Sequence, residues 1–552
     1  MAESVRGGGR ILVDALLVHG ADRVFCVPGE SYLDVLDALF DSPQIAVTVA
    51  KHEGAAANMA EADGKLTGRP GLCFVTRGPG ATHASVGVHT AMQDSTPMIL
   101  FIGQIDRGLR DREGFQEVDY RAMFAPLAKW VAEIDAAARI PEYVARAFQC
   151  ATSGRPGPVV LALPEDMLAE AAAVADTLAY APVQAAPRAA DMLRLRDELA
   201  RASAPLLVLG GSGWSAAASA AIQRFAESFA LPVAASFRRQ DLFDNEHANY
   251  AGHLSLGISP ALAARVASTD LLVVVGARLS EIATGGYRML QPPRLMARLA
   301  HFHPEPSALS TVFQADLAIA SGVEDAALAL AALEPPAEIA WRARTREMRT
   351  EFAAFANPAA VVAPPHGVDL AEAMAHLSRT LPADTILCNG AGNFTIWLHR
   401  FHRYRQPHTQ LAPTSGAMGY GLPAAVAAKL RRPDRTVVCV AGDGDFLMYP
   451  QELATAAQHG AAIVVLVVNN GMYGTIRMHQ ERRFPGRVSA TRIEGPDIAA
   501  MARAMGGYAE RVERSDQFAA AFARAMAAGR PALLDLAVDP GQVTPELRLF
   551  PA

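Results

Sequence analysis

The sequence predicts an α/β protein made of three doubly wound parallel-sheet units, on three observations. Short apolar runs alternate with amphipathic helical stretches along most of the chain. Several of these runs end in turns rich in glycine or asparagine. The chain has 552 residues, more than one core fills, and at about 150 residues per domain three or four are expected. The units read as residues 1–180, 190–335 and 366–552.

In the first unit a helical stretch, Arg10 to His19, leads to a strand at Arg23 to Val27. The turn Pro28-Gly29-Glu30-Ser31 and a helix carrying Leu33, Val35, Leu36 and Leu39 follow. Strands at Ala46 to Val49, Gly71 to Val75 and Met98 to Ile102 then alternate with helices starting at Glu53 and Ala81. The Ala- and Pro-rich tract 169–190 suits a linker. The second unit has strands at Pro205 to Leu209 and Leu271 to Val275. The cluster Gly210-Gly211-Ser212-Gly213 lacks the dinucleotide spacing and its distant acid, so it reads as a strand-to-helix turn. A partly helical connector, 334–365, is bounded by Pro335-Pro336 and Pro364-Pro365. The third unit has strands at Thr385 to Cys388, Val437 to Val440, Ile463 to Val468 and Ala532 to Leu536. No repeat of solenoid period is visible, and the first and third units share only an α/β rhythm.

Composition narrows the function classes. The net charge, 50 − 56 = −6, offers no electrostatic case for nucleic acid or an anionic membrane. Five cysteines, at 26, 73, 150, 388 and 439, never approach a C-x-x-C spacing and read as buried small hydrophobes. The N-terminus lacks a signal peptide's apolar core, and no apolar run reaches the roughly 18 residues of a membrane span. The expected compartment is the cytoplasm.

The stretch from Val437 to Tyr473 carries the sharpest chemistry. It reads as a strand, the turn Gly442-Asp443-Gly444, a helix, a second strand and a turn opening with Asn469-Asn470. A parallel crossover puts Asp443 and Asn470 at the carboxyl ends of strands that can be neighbours. Two hard oxygen ligands there suit a magnesium-sized cation. The N–H groups of the turn from Gly444 to Phe446 suit a diphosphate. Gly-Asp-Gly or Asn-Gly alone reads as an ordinary turn. Their pairing across residues 445 to 468, the length of one helix and one strand, favours a site.

This arrangement resembles the cofactor motif of thiamine diphosphate-dependent enzymes. With KHEGAAANMAEADGKLTGRPG from Lys51, TRGPGATH at 76–83 and TSGAMGYGLPAA at 414–425, the chain looks like that family's acetolactate synthase branch. On spacing alone Glu53 is an acid in a first helical turn, where the helix dipole favours it. The resemblance makes it the residue that hydrogen-bonds N1′ of the cofactor's aminopyrimidine ring, since a carboxyl in a small apolar site can share a proton there. It implies Met418 as the wedge under the bent cofactor, though a methionine is most often plain packing. Gly416 would accept from the 4′-amino group through its carbonyl. The metal ligands would be Asp443, Asn470 and the Met472 carbonyl, and Gly392 and Asn393 would approach the diphosphate. The cofactor set extends to Pro28, Gly442, Gly444, Asp445, Tyr473 and Gly474.

For the substrate, the resemblance points to small 2-keto acids. Gly114 to Glu117, with Phe115 and Gln116, and Lys129 fit the branch's substrate-loop pattern. Glu30 and Arg77 stand where small residues are common, and Arg77 could pair with a substrate carboxylate or with an acid such as Glu30. His479 replaces a tryptophan typical of biosynthetic members and reads equally as proton donor, substrate contact or solvated side chain. Phe394 stands in place of a usual histidine. Gly276-Ala277-Arg278 resembles part of a flavin site, but His301-Phe302-His303-Pro304 replaces its acidic stretch, which weighs against stoichiometric FAD. The implied assembly is a homodimer or homotetramer with active sites at the subunit interface. The expected activity is transferase or lyase: a magnesium-dependent 2-keto acid decarboxylase acting as a carboligase. Aldehyde release and a non-catalytic cofactor binder are the alternatives.

Overall fold

A computed structural model describes residues 4–549. Three six-stranded parallel sheets form, each flanked by helices, plus one two-stranded antiparallel ribbon. The first sheet runs, edge to edge, through Ala46–Val49, Arg23–Cys26, Gly71–Val75, Met98–Gln104, Pro158–Pro164 and Trp130–Glu133. The third runs through Gln410–Leu411, Ile386–Asn389, Val437–Gly442, Val464–Asn469, Ala532–Ala537 and Tyr508–Val512. Counted in chain order, both follow 2-1-3-4-6-5. The first and third units therefore share a whole topology and not merely a rhythm. Sequence reading missed this because the two sheets are filled by different apolar residues at matching positions. The central sheet follows 3-2-1-4-5-6, the order of dinucleotide-binding folds.

The strands most easily read are those buried on both faces. Leu271–Val275 (LLVVV) and Pro205–Leu209 are buried at every position, as a sheet covered by helices on both sides requires. The edge strand Tyr508–Val512, sequence YAERV, escaped detection because its charges give no apolar run. The supposed linker is only partly one. Its Ala171–Ala173 pairs antiparallel with Val5–Gly7, and Ala189 already opens the helix Ala189–Arg201. Small residues advertise neither strand nor coil, so composition misled there.

The glycine cluster of the central sheet is a strand-to-helix turn. Gly211 (φ +72°) and Gly276 (φ +75°) lie on neighbouring parallel strands' ends, and a Cβ on Gly211 would fall 2.2 Å from the Gly276 carbonyl. The two turns are glycine because they touch.

The chain groups into two compact units. One holds residues through Val183 with Leu422–Pro433 and Tyr449–Ala461; the other holds Gln184–Gly421, Asp434–Met448 and the chain from Ala462. The first unit's core includes the stacked rings of Phe74 and Phe101, 4.5 Å apart. In the second, separate cores lie on both faces of the central sheet and on the third sheet. Among the described residues no helix is long and apolar enough to cross a membrane.

Candidate active site

In the second unit, Val437–Gly442 and Val464–Asn469 pair in parallel, with Gly442 opposite Val468. Asp443 and Asn470 thus leave the same sheet edge side by side. Asp443 is buried, its Oδ1 accepting from the Gly444 N–H at 2.9 Å and its Oδ2 from the Gly471 N–H at 2.8 Å. Burial raises its carboxyl to about 6, against the pull of those N–H donors. The Asn470 side-chain oxygen accepts from the Met472 N–H at 3.1 Å.

These turns rim a cavity of about 240 Å³. Gly392, Asn393, Gly416, Met418, Gly442, Asp443, Gly444, Asp445, Asn470, Met472, Tyr473 and Gly474 all line it. The structure therefore gathers into one cavity every diphosphate-side residue expected from the sequence. Gly416 (φ +71°) has open space where a Cβ would be, whereas a Cβ on Gly444 would fall 2.6 Å from the Tyr473 ring. The donor set, a buried carboxylate and an amide oxygen beside glycine N–H groups, fits a diphosphate held with a small hard cation.

Asp445 behaves differently from its neighbours. Its Oδ1 accepts from Ala391 N–H at 3.1 Å and Gly419 N–H at 2.8 Å, tying together three turns around the cavity. Its Oδ2 is buried without a hydrogen-bond partner, and burial lifts the carboxyl to about 7. A Cβ on Gly390 would strike this carboxyl at 2.1 Å, which explains the glycine.

Sequence reading missed part of the wall. Leu370, Trp397, Thr475, Val538, Gln542 and Val543 also line the cavity. Thr475 donates to Asn393 Oδ1 at 2.9 Å. The segment after the last strand has no periodicity to announce it. Phe394 packs its ring against Gly392 and Gly442, within 2.9 and 3.1 Å of where their Cβ atoms would be. His479, on the helix Gly474–Arg483, is exposed and is not among the residues lining the cavity.

In the first unit, Ala46–Val49 runs into a short loop and the helix Glu53–Thr67. The His52 Nδ1 caps that helix by accepting from the Gly54 N–H at 3.0 Å. Glu53 occupies the first helical position, and its Oε2 lies 2.9 Å from Nδ1 of His83. The His52 and His83 rings sit 4.6 Å apart, so two imidazoles flank one carboxylate. The run of small residues after Glu53 has a packing cause. The helix Pro79–Asp94 lies so close that a Cβ on Gly87 would meet the Ala57 Cβ at 2.4 Å. His83 was in view within TRGPGATH, but nothing in the spacing linked it to Glu53.

Arg77 is buried and makes two ion pairs, with Glu30 Oε1 and Glu165 Oε2, each at 2.9 Å. Its Nε donates to the Phe115 carbonyl at 3.2 Å. Of its two readings, the structure shows the acid pairing. Gln116 (φ +65°) packs against Gly78, Phe115 is 70% exposed, and Pro28 is exposed in its turn. Lys129 corrects an expectation. It sits at the amino end of the strand Trp130–Glu133, away from the strand ends that carry Glu30 and Arg77. Its Nζ donates to the carbonyls of Cys150 and Ser153 at 2.5 and 2.8 Å, closing the helix Ile140–Thr152. An ammonium spent on a helix C-terminus is structural, not a substrate contact.

Family comparisons agree with this geometry. The model described as "Thiamine pyrophosphate enzyme, C-terminal TPP binding domain" matches residues 390–536, and its N-terminal TPP binding counterpart matches 6–123. The family's central domain matches 193–333. The chain belongs to the thiamine pyrophosphate enzymes. Within that family it is 32% identical to the acetolactate synthase large subunit of Parasynechococcus marenigrum, covering 97% of this chain and 88% of the relative. It is 29% identical to the acetolactate synthase isozyme 2 large subunit of Escherichia coli, covering 96% and 95% respectively. The mitochondrial catalytic subunit of Saccharomyces cerevisiae acetolactate synthase is 27% identical, with 96% of this chain and 80% of the relative covered.

Proposed function

We propose that this enzyme decarboxylates a pyruvate-like 2-keto acid and joins the remaining fragment to a second carbonyl compound, using thiamine diphosphate and Mg²⁺. The observation that carries this reading is the single cavity formed by Asp443, Asn470, Met418 and the glycine turns, together with full-length similarity to acetolactate synthases. When bound, thiamine diphosphate supplies a nucleophilic carbon and a sink for the electron pair left by departing carbon dioxide. Asp443, Asn470 and the Met472 carbonyl hold the cation. The turn at Gly392 and Asn393 would orient the diphosphate. Met418 and Gly416 line the wall that would face the cofactor's rings. Glu53 holds and exchanges the proton at N1′. As the family resemblance implies, the working assembly we propose is a homodimer or a pair of dimers, with Glu53 and the cradle of each site supplied by different subunits.

We further propose an enzyme that works without flavin. In support, His301 is buried with its Nε2 2.7 Å from the Ala277 carbonyl, so an imidazole and not an acid backs the Gly276 turn. The domain limits 1–180, 190–335 and 366–552 and a cytoplasmic location belong to the same proposal.

The test is incubation with pyruvate, alone and with 2-ketobutyrate, in the presence of thiamine diphosphate and Mg²⁺. Carbon dioxide should appear with an acetohydroxy acid. Free aldehyde in equal amount would replace ligation by simple decarboxylation. No cofactor-dependent turnover on any keto acid would reject the reading.

A further inference from the structure

Glu452 is completely buried, and no part of the chemistry above uses it. A carboxylate in such a place persists only if hydrogen bonds compensate for lost water. Its two oxygens face the Lys51 N–H at 3.2 and 3.4 Å, and Thr455 Oγ1 donates to it at 2.7 Å. Lys51 is two residues before Glu53 and one before the helix-capping His52.

The same stretch of chain holds the loop at every step. His459 Nε2 accepts from the Val49 N–H at 3.2 Å. Lys51 Nζ reaches Gln458 Oε1. The Tyr449 ring lies 5.0 Å from the His52 ring, and a Cβ on Gly54 would fall 2.4 Å from the Tyr449 hydroxyl. Residues 49–54 are thus clasped from end to end by residues 449–459, about four hundred positions away in sequence, within one compact unit. Such holding matters because a proton-transferring group loses effect when displaced by about 1 Å.

We propose that Glu452 is a positioning residue: from the helix Glu452–Gln458 it fixes the backbone of Lys51 and thereby the direction of the Glu53 carboxyl. Its effect on turnover rests on the reading that Glu53 acts on the cofactor. The clasp itself does not.

The test compares wild type, E452Q and T455V. Glutamine keeps the shape and one acceptor, and T455V leaves the carboxylate in place but removes its local donor. Amide hydrogen exchange of the full-length apoprotein reads the clasp directly, whatever the cofactor does. At Lys51 and His52, exchange should quicken at least tenfold in E452Q and about threefold in T455V. With thiamine diphosphate and Mg²⁺, E452Q should lose at least tenfold in kcat and in the rate of exchange of the cofactor's C2 proton. Its cofactor Kd should stay within threefold, because the cradle is untouched. Unchanged amide exchange in both variants would overturn the proposal. So would a loss of turnover that merely tracks weaker cofactor binding or a general fall in Tm. Should E452Q fail to fold, T455V alone decides between these outcomes.

Discussion

The first and third sheets repeat one strand order yet end in opposite chemistries. In each, the chain reverses direction between the first and third strands, and ligands of such sheets gather beyond the carboxyl ends there. The third sheet places Gly390 to Asn393 after its first strand and Asp443 after its third, a concave rim of N–H donors with one acid. The first sheet places Pro28 to Glu30 and Arg77 at the matching positions, joined by an ion pair, and sets Glu53 after its second strand. One fold thus offers either a glycine-lined cradle or a helix-borne acid, an arm that we propose handles a proton, and loop residues decide which. The comparison teaches that strand order locates a site without naming its chemistry.

The arm should break most completely. Replacing Glu53 with Gln is expected to lower kcat by 100-fold or more, within the usual range for a general acid–base group. Thiamine diphosphate affinity, measured by tryptophan fluorescence, should change little; a parallel loss of binding would show that arm and cradle are not separate. The cradle should fail differently. D443N is expected to weaken Mg²⁺-dependent cofactor retention at least tenfold, as calorimetry would show. Because burial holds the Asp443 carboxyl at about 6, its proton would compete with the proposed Mg²⁺. Apparent Mg²⁺ affinity should therefore fall as pH drops through about 6, approaching tenfold for each further pH step of one, and hold steady above about 7.

A smaller effect sharpens the contrast between two acids of the same turn. Asp445 binds its proton more tightly folded than unfolded, so it lowers stability as pH rises from about 4 through about 7. In the apoprotein, D445N should keep both N–H partners and flatten that decline, leaving the variant relatively more stable at pH 8 than at pH 5.5. The difference should amount to a few kcal/mol at most, at about 1.4 kcal/mol for each tenfold difference in proton affinity between the folded and unfolded chain. Smallest is K129A, expected to cost about 1 kcal/mol of stability by freeing two carbonyls, with kcat unchanged. A raised KM would restore Lys129 to the substrate side.

Much of this was legible in the residues because chemistry at a parallel sheet's edge needs specific short turns. Asp443 and Asn470 stand out since glycine and asparagine mark strand ends and apolar runs on either side mark the strands. The cavity's far wall was not legible, because Val538, Gln542 and Val543 follow the last strand without any period. Glu452 looked like an ordinary helix-opening acid, and only folding reveals its hold on Lys51. Lys129 misled for the converse reason. A lysine's four-carbon stem reaches many partners, and local sequence does not say that helix-end carbonyls claim it.

The helices Gly421–Arg431 and Glu452–Gln458 follow the third sheet's pattern in sequence but pack in the first unit. Arg431 there bridges Asp63 at 2.6 Å and Asp22 at 2.9 Å, and together with Arg69 it holds the Asp22 carboxyl down at about 2 against burial. A gene cut after Val183 would therefore not release a free-standing front half. Its product would leave the buried Asp63 stripped of its guanidinium, Asp22 with only Arg69 for a partner, and a loose loop around Glu53. Exchange of modules between such genes is constrained accordingly: the front piece travels only with two helices written far downstream.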